Sequence, residues 1–249
     1  MKKEGVLPVY NSVDLYFDHG DGVYLYTEDG TRYLDFTSGI GVTCLGHSHP
    51  ALVSALREQA GKLWHCSNLF KIKGQEIVAK KIVDHSFASH VFFCNSGAEA
   101  VEAGIKAIRK YFYLNKKNKY KIICVNNAFH GRTLGTIAAA GQDKLLEGFE
   151  PRLDGFEHVE FNNLEAIEKK IDKQTAAILI ETVQGEGGVN PATKEFLLGL
   201  KAIAKKNDLL LFFDEVQCGI GRTGKFLATD WVKSLEPNLV SIAKGVGGG

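Results

Sequence analysis

The feature that constrains the fold most is an alternation of helical segments with short apolar strands, which repeats from about residue 75 onward. Segments with apolar residues at helical spacing are followed by runs such as KIICV, AAILIET and LLLFFD, which show almost no polar alternation. Strands of this kind are buried on both faces, as in parallel sheets that are covered by helices on either side. The pattern therefore predicts an α/β protein with a mostly parallel, doubly wound sheet.

The individual elements can be predicted from the same periodicities. The helical patterns are ALVSALREQAG, which follows Pro50, and then GQEIVAKKIVDHSF, AEAVEAGIKAIRKYFY, LEAIEKKID and KEFLLGLKAIAKKN. The predicted strands are VFFCN, KIICV, AAILIET, LLLFFD and LVSIAK.

Charge and composition exclude several classes of partner. The 249 residues carry a formal net charge of +1, and the basic residues are spread along the chain. A nucleic acid or an anionic membrane selects a concentrated basic surface, so we expect neither as a partner. No apolar run is long enough for a signal peptide or a membrane span, and we expect a cytoplasmic protein.

Cysteine and histidine spacing does not support a disulfide framework or a metal site. The five cysteines are widely separated and include no C-x-x-C pair. His47 and His49 form an H-x-H pair, but no third ligand follows at a suitable spacing. We therefore predict reduced thiols and no bound metal.

A glycine run follows the strand LLLFFD and could be mistaken for a nucleotide-binding loop. Gly219, Gly221 and Gly224 satisfy G-x-G-x-x-G, but the segment DEVQ intervenes, and an acid is expected about 20 residues later, where the chain has Lys244. A Walker loop would need Ser or Thr where Phe226 stands. A flexible turn is the alternative that remains.

An acid and a lysine end two of the predicted strands. Ligands gather at the carboxyl ends of parallel strands, and Asp214 and Lys244 both fall there. Pyridoxal phosphate (PLP) uses both groups, because its ring nitrogen pairs with a carboxylate and its aldehyde condenses with a lysine. A structural ion pair, a helix cap at Asp214 or a solvated Lys244 are the alternatives.

A phosphate site is predicted where VFFC meets NSGAEAVEAGIKAIRK. The unpaired amides at the start of this helix would bind a phosphate, and Gly97 and Ala98 would allow close approach. A helix cap at Asn95 or Ser96 needs no ligand, so that alternative stays open.

A further strand end carries the segment NNAFHGRT. Phe129 could stack on the flat face of a cofactor, and Arg132 could bind a carboxylate through two hydrogen bonds. Taken singly, Phe129 is more often a core residue and Arg132 more often a solvated one.

Five motifs together resemble one known family. They are NSGAEAVEAGIKAIR, NNAFHGRT, ETVQGEGGVNP, FFDEVQCGIGRTGKF and SIAKGVGGG. In order and spacing they resemble the class III aminotransferases of PLP fold type I, over essentially the whole chain. Within that family, KLWHCSNLF and AFHGRT are most similar to the acetylornithine aminotransferases.

The resemblance implies roles for the residues around a bound PLP. Lys244 would hold the cofactor covalently and then move a proton as general base and acid, while Asp214 would pair with the ring nitrogen. The remaining contacts would come from Val216 and Phe129 on the two ring faces, Gln217 at the phenolic oxygen, and Ser96, Gly97 and Ala98 at the phosphate.

The resemblance also implies substrate contacts. Arg132 would hold the substrate carboxylate, and Glu186 would pair with a downstream arginine and release it for dicarboxylates. Glu181 would support the site through hydrogen bonds, and His130, apart from the resemblance, is expected to orient its loop and not to act in catalysis. Both acids could instead be loop anchors.

The implied activity moves the δ-amino group of N2-acetyl-L-ornithine to 2-oxoglutarate, in arginine biosynthesis and as a homodimer. N-succinyl-diaminopimelate is a second expected donor. Ornithine or 4-aminobutyrate transamination, an aminomutase reaction and a truncated, non-catalytic chain are the alternatives.

A domain organisation follows from the same resemblance. Residues 1–64 would form an N-terminal segment, part of an incomplete small domain that also makes dimer contacts. Residues 65–249 would form the PLP-binding large domain. Because AKGVGGG ends directly after a predicted strand, we expect further C-terminal sequence. If the 249 residues are the whole molecule, we expect weak cofactor retention and little turnover.

Overall fold

A computed structural model describes residues 5–249, which form two compact units. The small unit runs to His65 and includes Gly248 and Gly249, and the large unit is Cys66–Gly247. The assignment of the two units to a small domain and a cofactor-binding large domain stays a prediction.

The small unit contains an antiparallel three-stranded sheet and two helices. Its elements are β1 (His19–Asp21), β2 (Tyr24–Tyr26), β3 (Arg32–Leu34), the short α1 (Ser38–Gly41) and α2 (Pro50–Ala60). Pro50 begins α2 as the sequence predicts, because its missing N–H lies where a helix has no intrahelical acceptor.

The carboxylate of Asp35 connects the loops of the small unit. It accepts hydrogen bonds from Thr37, from the Ser38 amide and, over 2.8 Å, from His47 Nε2. These donors, with the Thr37 side chain the strongest, hold the pKa of Asp35 well below its usual range. His47 therefore has a structural partner, and within residues 5–249 no three metal-ligating side chains are grouped.

The large unit alternates helices and strands along the chain. Its helices are α3 (Lys73–Asp84), α4 (Gly97–Leu114), α5 (Leu134–Ala140), α6 (Asp143–Leu146), α7 (Leu164–Lys170) and α8 (Lys194–Asn207). Its strands are β4 (Lys121–Val125), β5 (Phe156–Val159), β6 (Thr175–Glu181), β7 (Val183–Gln184), β8 (Asn190–Pro191), β9 (Leu210–Asp214) and β10 (Leu239–Ser241).

Five of these strands form one parallel sheet in the order β10-β9-β6-β4-β5. The predicted α/β class and the parallel, doubly wound sheet are therefore confirmed. In the ladder, Asp214 of β9 lies opposite Glu181 of β6 on one side and Ser241 of β10 on the other.

Alternate residues of each strand enter two separate hydrophobic cores. On one face, Phe212 packs with residues of α4 and α5, and on the other face Phe213 packs with residues of α7 and α8. Both phenylalanines are at most 1% exposed, so the central strands have no polar face. This burial explains why their sequences lack polar alternation.

Three of the differences from the sequence predictions concern the main sheet and the helices that cover it. Residues 91–94, predicted as a strand, pair with no strand among the residues that the structure describes. The edge strand β5 was not predicted, because Glu157 and His158 interrupt its apolar run. The helix α5 was not predicted either, because all seven of its residues except Leu134 are buried, which leaves no polar face to reveal its period.

No helix in the described part of the chain combines the length and the apolar composition that crossing a bilayer requires.

Close packing of α4 on the sheet depends on Gly104. A Cβ atom added to Gly104 would lie 2.3 Å from Cζ of Phe212, whereas one added to the exposed Gly74 in α3 would meet nothing within 4 Å. We expect Gly104→Ala to lower the free energy of unfolding by about 1–3 kcal/mol. Gly74→Ala should leave it unchanged or raise it by up to about 1 kcal/mol, because alanine favours helix. Urea unfolding of the two variants measures this difference, and equal midpoints would contradict the packing.

Candidate active site

Four ionisable residues of the large unit lie at the carboxyl edge of the sheet. From β4 the chain moves to β5 on one side and then returns to β6 on the other, so the strand order reverses between β4 and β6. In open α/β sheets a crevice for ligands forms at such a reversal. His130 follows β4, Glu181 ends β6, Asp214 ends β9, and Lys244 follows β10.

Asp214 is a buried carboxylate that is held on both oxygens. Its Oδ1 accepts hydrogen bonds from the Val216 amide at 3.0 Å and from Ser241 Oγ at 2.8 Å. Its Oδ2 accepts one from His130 Nδ1 at 2.7 Å. Since a carboxylate oxygen has two acceptor positions, Oδ2 retains one that no described residue fills.

Lys244 lies three residues beyond β10, where it begins a short 3-10 helix, Lys244–Val246. It is half-buried, and this burial lowers the pKa of its amine, although the charges of Glu186, Asp214 and Glu181 act in the opposite direction. A lowered pKa increases the fraction of neutral amine, which is the nucleophilic form.

Glu181 is buried beside Asp214 and supports the neighbouring loops. Its two carboxylate oxygens accept hydrogen bonds from the amides of Phe129 at 3.1 Å and Gly185 at 3.4 Å. Burial raises the pKa of Glu181 to about 7, and the charge of Asp214 adds to this increase, whereas His130 and the two amides oppose it. Both contacts go to loop amides, so they are compatible with either role predicted for Glu181, support of the site or a loop anchor.

The start of α4 lies against two of the loops at this edge. Ser96 caps the helix by accepting a hydrogen bond from the Glu99 amide, and the next amides, of Gly97 and Ala98, have no intrahelical acceptor. A Cβ atom on Gly97 would lie 2.7 Å from Cγ1 of Val216. One on Gly131 would lie 2.6 Å from Cβ of Ala98. The predicted phosphate-binding residues are therefore in contact with the segments that carry Val216 and Phe129.

The other predicted residues lie around the same edge. Phe129 is half-buried, and the guanidinium carbon of the exposed Arg132 lies 5.9 Å from the centre of its ring. Gln217 is half-buried and packs against Gly185, which leaves no space for a side chain at position 185. Glu186 is exposed in the turn between β7 and β8.

The acid next to Asp214 has a different environment. Glu215 is fully buried and accepts hydrogen bonds from the amides of Ala228 and Thr229, at 2.5 and 2.8 Å, and from Thr182 Oγ1 at 3.3 Å. Burial raises its pKa. Glu215 thus fixes the loop after β9 to the 3-10 helix Ala228–Trp231.

Ser241 is a site residue that sequence reasoning missed. It precedes Lys244 by three positions in a segment that was read only as a strand, and no local pattern marks its hydroxyl. Its contact with Asp214 follows from the parallel register of β10 and β9, which the sequence pattern alone does not give.

The raised pKa of Glu181 predicts a pH dependence of stability. Between about pH 4.5 and 7 the folded chain holds the Glu181 proton more tightly than the unfolded chain, so stability falls as pH rises through this range. The full effect is on the order of 3 kcal/mol. Glu181→Gln should remove this part of the dependence, whereas the exposed control Glu147→Gln should keep it. Urea unfolding of the ligand-free chain at several pH values tests this, and parallel curves for wild type and Glu181→Gln would contradict it.

Comparison with known proteins gives close relatives over the whole chain. The family model of the class III aminotransferases matches residues 8–249. An acetylornithine aminotransferase of Mesorhizobium japonicum is 51% identical over 250 residues, which cover 100% of this chain and 62% of the relative. The acetylornithine aminotransferase of Aquifex aeolicus is 50% identical over 96% of this chain and 64% of its own length. The chain therefore spans less than two thirds of the length of these relatives.

Solved structures give the same assignment. The N-acetylornithine aminotransferase of Stenotrophomonas maltophilia has a TM-score of 0.83 and 36% identity, and the match covers 96% of this chain and 61% of that one. The ornithine aminotransferase of Toxoplasma gondii, described with partial occupancy of PLP at its active site, has a TM-score of 0.91 and 29% identity. That match covers 97% of this chain and 57% of the other. The protein belongs to the class III aminotransferases.

Proposed function

We propose that this protein is a PLP-dependent aminotransferase that moves the δ-amino group of N2-acetyl-L-ornithine to 2-oxoglutarate. The observation that carries the proposal is that a buried carboxylate, Asp214, and a half-buried amine of lowered pKa, Lys244, both lie at the carboxyl ends of adjacent strands, where the charge of the acid acts on the amine. The choice of donor rests on relatives of about 50% identity that are named acetylornithine aminotransferases. A homodimer and a cytoplasmic location stay predictions.

The residues at the carboxyl edge fit PLP. The unfilled acceptor position on Asp214 suits a protonated ring nitrogen. A positively charged N–H donor forms a stronger hydrogen bond with a carboxylate than a neutral donor does. The first turn of α4 offers the amides of Gly97 and Ala98, together with the Ser96 hydroxyl, to a phosphate. Two apolar side chains, Phe129 and Val216, would cover the ring faces.

When bound, PLP supplies an electron sink for the carbon that loses its proton. Lys244 Nζ would hold the cofactor covalently and, once the substrate amine had displaced it, would take the proton from the amino-bearing carbon of the substrate. The same amine would then give up that proton, so that Lys244 would act first as base and then as acid. Burial favours this role because it keeps more of the Lys244 amine neutral.

The remaining residues orient the two ligands. Asp214 would keep the proton on the ring nitrogen, and Gln217 would donate a hydrogen bond to the phenolic oxygen. Arg132 binds the substrate carboxylate through its planar guanidinium group. Glu186 is exposed and its charge acts on Lys244, and it would respond to a second substrate carboxylate.

Ornithine is the second candidate donor. The Toxoplasma gondii ornithine aminotransferase has the higher TM-score of the two structures compared above, although its sequence identity is lower. Ornithine and N-acetylornithine differ in whether the α-amine is charged, so a direct comparison of the two donors separates the candidates.

The role of Lys244 predicts the position of covalent labelling. After incubation with PLP and reduction with borohydride, we expect the phosphopyridoxyl group on the tryptic peptide that contains Lys244, because its amine is the least protonated one at the site. Lys244→Ala should lose the label, and the exposed control Lys225→Ala should keep it. Peptide mass spectrometry measures the label in both variants. A label spread over several lysines would contradict the assignment of Lys244.

The role of Arg132 predicts a selective effect on substrate affinity. Loss of a charged hydrogen-bond partner should raise the N-acetylornithine concentration needed for half-maximal change of the cofactor absorbance about 10- to 100-fold in Arg132→Ala. Arg132→Lys should recover part of this loss, since lysine keeps the charge but not the bidentate geometry. The control Arg152→Ala removes a surface ion pair with Asp143 and should behave as wild type.

The same spectral titration tests the donor. A chain that responds to ornithine or 4-aminobutyrate and leaves N-acetylornithine unchanged would contradict the proposed substrate while supporting the proposed cofactor.

A further inference from the structure

The Asp214 carboxylate is held from both sides of β9, by the adjacent strand β10 on one side and by the segment after β4, the second strand away, on the other. His130, in the segment that follows β4, approaches Oδ2, and Ser241, on β10, approaches Oδ1. A carboxylate with a donor on one oxygen alone still rotates about its Cβ–Cγ bond. Donors on both oxygens, from groups that are themselves buried, remove that rotation.

His130 is fixed in this position by its surroundings. Its side chain is fully buried, and the adjacent Phe129 amide is bound to Glu181. Within the described residues, its Nε2 atom has no hydrogen-bond partner. The ring therefore acts on Asp214 through Nδ1, and a side chain that supplies only this donor could replace it.

Ser241 is similarly fixed. It is 3% exposed and lies directly opposite Asp214 in the parallel ladder. Its carbonyl oxygen accepts a hydrogen bond of 2.9 Å from the Glu215 amide. Because Ser241 precedes Lys244 by three residues, its hydroxyl also connects the segment that carries the amine to the acid.

We propose that Ser241 and His130 are positioning residues that fix the orientation of the Asp214 carboxylate and leave one acceptor position on Oδ2 for a protonated ring nitrogen. This inference rests on the proposed function, because it assumes that PLP is the ligand. Neither residue touches the reacting atoms. Their contribution should depend on the ring nitrogen and not on the rest of the cofactor.

The test compares PLP with the analogue in which a carbon replaces the ring nitrogen. The full chain and its variants are titrated with each compound, and dissociation constants are obtained from the quenching of intrinsic fluorescence. The ratio of the two constants is the decisive quantity, because a loss of folded protein weakens both ligands equally and cancels in the ratio.

We expect Ser241→Ala and His130→Leu each to weaken PLP binding about 10-fold, the effect typical of a lost hydrogen bond to a charged group. Binding of the carbon analogue should change less than about 2-fold. Ser241→Thr keeps the hydroxyl and should retain the wild-type ratio. His130→Asn should do the same, since its amide nitrogen is as many bonds from the backbone as Nδ1. The matched control Ser86→Ala removes a hydroxyl bound to a helix carbonyl and should leave both constants unchanged.

The outcomes separate the inference from the proposed function. If the wild-type chain binds PLP and prefers it to the analogue, and Ser241→Ala and His130→Leu keep that preference, the inference is overturned and the proposed function stands. An equal loss of affinity for both ligands would likewise overturn the inference, because it would show that Ser241 and His130 have only a general structural role. A wild-type chain that binds neither compound contradicts the proposed function, and the inference falls with it.

Discussion

The buried carboxylate of Asp214 is the group on which the arrangement of the carboxyl edge depends. A charge with 3% exposure is stable only if donors surround it, and here the donors come from three separate segments of the large unit. Each donor connects Asp214 to a segment that carries a proposed site residue: Phe129 next to His130, Val216 itself, and Lys244 beyond Ser241. The same hydrogen bonds that satisfy the charge therefore bring the site together.

The two adjacent acids of the DEVQ segment, Asp214 and Glu215, have different hydrogen-bond partners. The Glu215 carboxylate accepts hydrogen bonds from Thr182 and from the start of the 3-10 helix Ala228–Trp231. These bonds fix the backbone next to Val216 and Gln217. Asp214 differs in its partners, because His130 and Ser241 belong to the segments that carry Phe129 and Lys244. The proposed cofactor contact therefore falls on Asp214 and not on Glu215.

The predictable part of the fold is the part whose burial leaves a local pattern. The strands β4, β6 and β9 read as apolar runs because Phe212 and Phe213 enter opposite cores, and α4 and α8 show a helical period because each has one buried face. Prediction failed where burial and the local pattern do not correspond. The helix α5 is buried nearly all round, and residues 91–94 are apolar without pairing to any described strand.

The sequence by itself determined the chemical groups and the family: an acid, a lysine, a capped helix start and an aromatic–arginine segment, each at the end of a predicted element. Tertiary structure decided which of them meet. Ser241 and Asp214 are 27 residues apart and His130 and Asp214 are 84 apart, so their hydrogen bonds depend on strand order and register. Those are set by the packing of whole strands in the two cores, which no local run of residues encodes.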